Sequence, residues 1–238
     1  MYNQYDNSTA NLRESFFSED RSNPVHERFL EHVGKAPKGS RILDIGTGNG
    51  YILREIQKKY PGRYQLIGTD NSSEMLAEAK SFGGDMHYKL ADNYHLPFKD
   101  NYFTTVTAKN VTRFSVEELA RVLQTEGLFV YREYGKGKGL VEVASCFPDR
   151  LIRSRDPSFY SNQFAEFGFE DIEVHQYTLK KEYDWDELLR VVQMFPFIED
   201  LSNVDLETIE SFFEDREKIT VTSDPFILTA KRKARWKT

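Results

Sequence analysis

The sequence lacks the residues that several protein classes require. It has one cysteine, Cys146, which excludes an intramolecular disulfide framework and a multi-cysteine zinc site. Its five histidines are scattered. His26-Glu27 is followed at position 30 by Leu30, so the H-E-x-x-H zinc helix is not there. There is no P-loop, no internal repeat and no low-complexity stretch. No apolar run is long enough to span a bilayer. The opening Met1-Tyr2-Asn3-Gln4-Tyr5-Asp6 has neither the basic nor the apolar region of a signal peptide. These absences predict a protein of the reducing cytoplasm.

What is present is ordinary for a globular chain. Hydrophobic residues make up 39% and charged residues 29%, too apolar for disorder, and 238 residues suit one large domain or two small ones. The net charge of -6 argues against a general nucleic-acid binder. The last eight residues, Lys231 to Thr238, carry five basic side chains and no acid, so the rest of the chain is more acidic than the total suggests. That tail reads as a solvated end, with a phosphate or acidic membrane surface as the alternative.

Periodicity divides the chain into alternating elements. Asn23-Pro24 suits the start of a helix carrying Val25, Phe29 and Val33 and ending at Gly34. Strands are expected at Arg41–Ile45, Tyr64–Thr69, Met86–Ala91, Tyr102–Ala108, Gly127–Arg132, Glu170–Thr178 and Phe226–Lys231. Helices are expected at Tyr51–Tyr60, after Asn71-Ser72-Ser73-Glu74, from Ser115-Val116-Glu117-Glu118 to Leu123, and at Phe159–Phe167. The two four-residue runs read as capping boxes. A helical insert from about Trp185 to Glu217 is interrupted at Pro196. Strands separated by helices of this length imply βαβ units and a parallel sheet covered on both faces.

In such a sheet, ligands bind beyond the carboxyl ends of the strands. Asp44-Ile45-Gly46-Thr47-Gly48-Asn49-Gly50 lies there, and its glycines let the backbone turn sharply and approach a ligand. A dinucleotide turn would place its third glycine at position 51, which is Tyr51. An acid at Asp44 would repel a pyrophosphate and attract an ammonium group. The second strand leads to Asp70, placed to accept from ribose hydroxyls, and the third to Asp92, placed to accept from an adenine amine. The ligand implied is a nucleoside carrying positive charge.

These residues, with Leu96-Pro97-Phe98, Glu118-Leu119-Ala120-Arg121-Val122-Leu123, Gly127-Leu128-Phe129-Val130 and Phe167-Gly168-Phe169, resemble the class I S-adenosylmethionine-dependent methyltransferase family. The resemblance covers roughly residues 40–180 and the last strand. It implies an α/β, Rossmann-like, doubly wound sheet of seven strands, the last antiparallel, with helices on both faces. It implies S-adenosylmethionine as cofactor, held by Asp44, Gly46, Thr47, Gly48, Gly50, Asp70, Asn71, Asp92, Asn93 and Asn110. The expected organisation is a single domain over 1–238: an N-terminal helical segment (1–39), the cofactor-binding core (40–180), a helical cap (181–220), and the last strand with the basic tail (221–238).

This sequence departs from the family in two places. Phe103-Thr104 replaces Phe-Asp at the fourth strand, and Thr125-Glu126-Gly127 replaces Pro-Gly-Gly before the fifth. The fourth-strand exit, Ala108 to Phe114, lacks the Asn-Pro-Pro-Tyr run of amino-methylating nucleic-acid enzymes. The expected acceptor is an N or O nucleophile on a small molecule or short peptide. Asn110, Arg113, Arg132 and Tyr134 are the substrate-facing candidates. Tyr2, Tyr5, Phe16 and Phe17 are candidates to fold over the cofactor, and Gly135 to Gly139 for a mobile loop. Val191, Val192, Met194, Phe195, Phe197 and Ile198 read as a packed apolar block, with a lid as the alternative. Two other readings remain open: an NAD(P)-dependent oxidoreductase, and a cofactor-binding but inactive partner module.

Overall fold

The structure, a computed structural model, describes residues 24–152, 155–195, 197–213 and 217–234. Tyr2, Tyr5, Phe16, Phe17, the cap residue Asn23, Pro196 and the end of the basic tail lie outside the described residues. Helix α1 (Pro24–Gly34) buries Val25, Phe29 and Val33, the stripe expected from its spacing, and Leu30 with them. Then β1 (Arg41–Ile45), α2 (Tyr51–Lys59), β2 (Gln65–Asp70), α3 (Ser73–Ser81) and β3 (Met86–Leu90) follow as two βαβ units. The core continues through β4 (Phe103–Lys109), α4 (Val116–Val122) and β5 (Leu123–Tyr134). After α5 (Val141–Ser145) and α6 (Pro157–Glu166) come β6 (Phe169–Gln176), β7 (Leu179–Tyr183), α7 (Trp185–Met194), α8 (Asn203–Phe213), β8 (Ile219–Ser223) and β9 (Pro225–Arg232).

Seven strands form one sheet in the order β3-β2-β1-β4-β5-β9-β6, mostly parallel with one antiparallel strand, as expected. The order reverses at β1 and β4, where Ile45 pairs with Ala108, and the turn after β1 leaves the sheet there. By chain contacts the molecule divides into two units. The first comprises Met1–Glu133, Tyr160–Val174 and Ile227–Thr238. Its β1 is buried from Ile42 to Ile45, as a central parallel strand must be. An aromatic cluster, Phe129–Phe164 stacked at 5.0 Å and Phe164–Phe169 edge-to-face at 4.9 Å, packs α6 onto the sheet.

The second unit comprises Tyr134–Phe159 and His175–Phe226. It contains a pairing the sequence reading did not foresee: β7 and β8 are antiparallel, from Leu179↔Ser223 to Tyr183↔Ile219. Between them lie the two expected helices, with Leu188, Val191, Val192, Phe197, Ile198, Ile209 and Phe213 buried. Glu142 of α5 accepts from the Thr222 N–H at 2.6 Å, and Arg150 forks onto Asp205 at 2.8 and 3.1 Å. The loop expected to be mobile is tied down: Asp224 accepts from the N–H groups of Gly137 and Gly139 at 2.7 and 2.8 Å.

Three local expectations are corrected. Helix α3 is capped by Ser72, whose Oγ accepts from Met75 N–H, so Asn71 lies outside it and there is no reciprocal box. At α4, Ser115 accepts from Glu118 N–H, but the Glu118 carboxylate bonds Arg121 and the Leu96 N–H instead of returning to the cap. Strand β5 begins at Leu123, earlier than expected, and its register with β4 shifts between Phe103 and Thr105. Among the described residues no helix is long and apolar enough to cross a membrane, and no three His, Cys, Asp or Glu side chains are grouped to hold a metal.

Candidate functional site

The turn after β1 is built on three left-handed glycines, Gly46, Gly48 and Gly50, at φ 59°, 54° and 78°. Two of them also make room for the protein's own side chains. A Cβ on Gly46 would stand 2.6 Å from Val111 Cγ2, and one on Gly50 would stand 2.3 Å from the Tyr88 hydroxyl. Thr47 N–H donates to Thr69 O at 2.8 Å, tying the turn to β2. The Thr47 side chain occupies the space a Cβ on Gly68 would need.

Asp70, at the end of β2, accepts from Gly48 N–H through Oδ2 at 2.8 Å and from Ser72 N–H through Oδ1 at 3.0 Å. One carboxylate therefore clamps the turn and the start of α3 together. Asn49 is held from both sides: its side chain donates to Glu78 Oε1 at 3.3 Å, and Arg54 donates to its carbonyl.

Asp44 lies beneath the turn at 2% exposure and accepts from Thr107 Oγ1 at 2.7 Å. Burial pushes its carboxyl up to about 6, opposed by the hydrogen bond from Thr107. The nearby charge of Asp70 adds to the rise, and Lys109 opposes it. A buried acid poised there gains most from a cation placed against it.

Asp92 and Asn93 follow β3. Asp92 is exposed, and its Oδ1 accepts from Tyr94 N–H at 3.0 Å. Asn93 donates to Arg113 O at 3.2 Å, and its Oδ1 is buried with no partner among the described residues. Glu118 and Arg121 hold the stretch that follows: Glu118 accepts from Leu96 N–H at 2.6 Å, and Arg121 donates to the carbonyls of Leu96 and Phe98.

Asn110 has φ 56° just beyond β4, and its N–H donates to Arg132 O at 2.9 Å. Arg113 is exposed, whereas Arg132 is 1% exposed on β5. Tyr134 belongs to the second unit, where its ring covers Gly139. Asn71 is exposed. The structure thus gathers the residues from Asp44 to Gly50 with Asp70, and separately Asp92–Asn93 with Arg113.

The sequence reading missed His26, Tyr51, Glu55 and Lys109. Lys109 Nζ lies over the Tyr51 ring at 4.6 Å, and His26 lies against the other two. Lys109 carried one usable signal, its place as the last residue of a central strand. Together, the carboxylates at Asp44 and Asp70 suit a ligand that offers a cation to one and hydroxyl donors to the other.

A family described as "Methyltransferase domain" matches residues 42–127. The chain is 28% identical over 185 residues to the ubiquinone/menaquinone biosynthesis C-methyltransferase UbiE of Geotalea daltonii, covering 63% of this chain and 78% of that one. It is 33% identical over 99 residues to a demethylmenaquinone methyltransferase of Thermotoga maritima, covering 39% and 43%. The chain therefore spans less than half the length of the Thermotoga relative. Among solved structures, the YcgJ protein of Bacillus subtilis shares the fold at a TM-score of 0.67 and 18% identity, covering 88% of this chain and all (100%) of that one. Phosphoethanolamine N-methyltransferase 2 of Haemonchus contortus, solved with S-adenosyl-L-methionine, has a TM-score of 0.64 at 20% identity, covering 98% and 58%.

Proposed function

We propose, from the premise that this chain belongs to the class I S-adenosylmethionine-dependent methyltransferases, that it methylates an N or O nucleophile on a small molecule or short peptide. The observation that carries the reading is the bond from Gly48 N–H to Asp70 Oδ2, which joins the turn to the acid that follows β2.

The residues present fit the cofactor. Asp70 uses one lone pair of each oxygen on backbone N–H groups, which leaves acceptor capacity for ribose hydroxyls. Asp44 is a buried acid without a cation bonded to it among the described residues, and it suits the ammonium of the methionine end. Asp92 keeps one carboxylate oxygen clear of its turn bond for the adenine amine, and Asn93 brings a buried acceptor beside it. Thr47, Gly46, Gly48 and Gly50 shape the turn, while Asn71 follows Asp70 and Asn110 lies just beyond β4. When bound, S-adenosylmethionine supplies a methyl group already activated for transfer. The protein's task is then to hold the acceptor in line and exclude water, so positioning supplies most of the effect. Arg113 and Arg132 are proposed to orient the acceptor.

A carbon acceptor is the second reading. It is favoured by the similarity to proteins named as C-methyltransferases.

The test begins with calorimetry of S-adenosylhomocysteine against the purified chain, with NADH as control. Turnover is then followed as S-adenosylhomocysteine release over a panel of amines, phenols and carbon acids, with mass spectrometry locating the methyl group. Methylation at N or O supports the proposal. Methylation at carbon replaces it with the second reading. Cofactor binding without turnover on any acceptor class points to an inactive partner module, and binding of NADH alone overturns the premise.

A further inference from the structure

His26 is 2% exposed on α1. Its Nε2 faces Glu55 Oε2 of α2 at 3.6 Å, and its ring centroid is 5.6 Å from that of Tyr51, the first residue after the glycine turn. Lys109 sits over the same Tyr51 ring and pairs in register with Arg132 across β4 and β5. The imidazole is therefore beside the first turn of α2 and near the carboxyl ends of β4 and β5. That is where an open parallel sheet receives its ligands.

Neither ring nitrogen of His26 makes a hydrogen bond of ordinary length among the described residues. A carboxylate facing Nε2 favours the tautomer with its proton there and leaves the lone pair on Nδ1. A buried acceptor without a donor is costly and rare in native proteins, and a ligand's X–H group would satisfy it. The groups facing the ring come from several elements: Glu27 beside it on α1, Glu55 and Tyr51 on α2, Lys109 on β4 and Arg132 on β5. Burial first, then the two cations, draw the imidazole below its ordinary value, and Glu55 raises it. These influences favour the neutral imidazole, which keeps a lone pair on Nδ1.

We propose that His26, oriented by Glu55, accepts the proton of the methyl-accepting group. The inference rests on the methyl-transfer reading and adds a base to it. The acceptor's X–H proton passes to Nδ1, and the X–H electron pair takes the methyl group. The pair of the broken C–S bond stays on sulfur, which becomes a neutral thioether. The resulting imidazolium is held by the Glu55 carboxylate.

The test uses the full chain loaded with S-adenosylhomocysteine and 4-nitrophenol as a chromogenic stand-in for a hydroxyl acceptor. Calorimetry first establishes that S-adenosylhomocysteine binds; if it does not, the methyl-transfer reading itself fails. With it bound, 4-nitrophenol is expected to show its phenolate absorbance at a pH below its ionisation in water. His26→Gln should reduce that signal at least tenfold without changing S-adenosylhomocysteine affinity. Glu55→Gln should reduce it less.

A purely structural histidine would move neither signal. To cover a misfolded variant, the His26 ring resonance of the wild-type chain, assigned by its loss in His26→Gln, is followed by NMR. It should shift to the imidazolium position when the phenol is added. A phenol that stays protonated, a spectrum unchanged in a folded His26→Gln, or a ring resonance indifferent to the phenol overturns the proposal.

Discussion

Asp70 accepts the N–H of Gly48 at 2.8 Å across the gap between β2 and the turn that follows β1. The same carboxylate holds the Ser72 N–H at 3.0 Å, so its removal frees two backbone donors and the ribose contact proposed for it. Asp70→Ala is expected to weaken S-adenosylhomocysteine binding by about 10- to 100-fold, the range of one or two charge-assisted hydrogen bonds. Calorimetry checks this, and an affinity within threefold of the wild type would remove Asp70 from the site.

Asp44 carries a pH signature with a definite sign. Its carboxyl stands at about 6 in the folded protein because of burial, above the ordinary 3.8. The folded chain therefore holds a proton that the unfolded chain has released. Its contribution to stability is full below about pH 4 and is lost as pH rises through 6, by at most about 3 kcal/mol. Ligand binding runs the other way. An ammonium group prefers the ionised carboxyl, so S-adenosylhomocysteine affinity should rise between pH 5 and 7. Asp44→Asn keeps an oxygen for Thr107 and removes the charge. It should melt no lower than wild type at pH 8 while binding at least tenfold more weakly, with a flat pH profile. A pH-dependent affinity that survives in Asp44→Asn would assign the ammonium to another group.

The turn and its acid were legible because their signals are local. Glycine at 46, 48 and 50, and an acid closing the next strand, are patterns a single chain displays. What was hidden depended on residues far apart in sequence. His26, Glu55 and Lys109 meet only because α1, α2 and β4 converge, and no spacing announces that. The β7–β8 pair was missed for the same reason, since Leu179 and Ser223 are brought together over the whole helical insert. At the helix starts the residue types were read correctly but the bonds were not. Glu118 had nearer partners in Arg121, one turn on in the same helix, and in the Leu96 N–H from a distant loop, and those bonds outcompeted the cap.

Gly50 offers a test of why the turn needs glycine. Its φ of 78° disfavours any side chain, and a Cβ there would meet the Tyr88 hydroxyl at 2.3 Å and its ring carbon at 3.0 Å. Gly50→Ala should cost about 1–3 kcal/mol, lowering the melting temperature by several degrees. Tyr88→Phe removes only the nearer atom. In the double variant it should recover part of the loss, with a coupling above about 0.5 kcal/mol in a double-mutant cycle. Additive effects would show that backbone strain alone excludes alanine.

Glu126 supplies a stability prediction from its backbone alone. Its φ is 62°, the left-handed region that a side chain pays to enter. The next residue, Gly127, has no room for a side chain, because a Cβ there would lie 2.7 Å from the Gln124 carbonyl oxygen. The irregular opening of β5 therefore depends on two consecutive backbone positions, one of them occupied by glutamate. Left-handed backbone costs a non-glycine residue about 1–2 kcal/mol, and glycine's greater freedom in the unfolded chain returns about 0.5–1 kcal/mol of that. Glu126→Gly should thus stabilise the protein by about 0.5–1 kcal/mol, or a rise of about 1–4 °C in melting temperature. S-adenosylhomocysteine affinity should not change, since Glu126 lies at the amino end of β5 and the proposed site lies at the carboxyl ends. A melting temperature unchanged or lowered in Glu126→Gly would mean that the glutamate side chain offsets its own backbone strain.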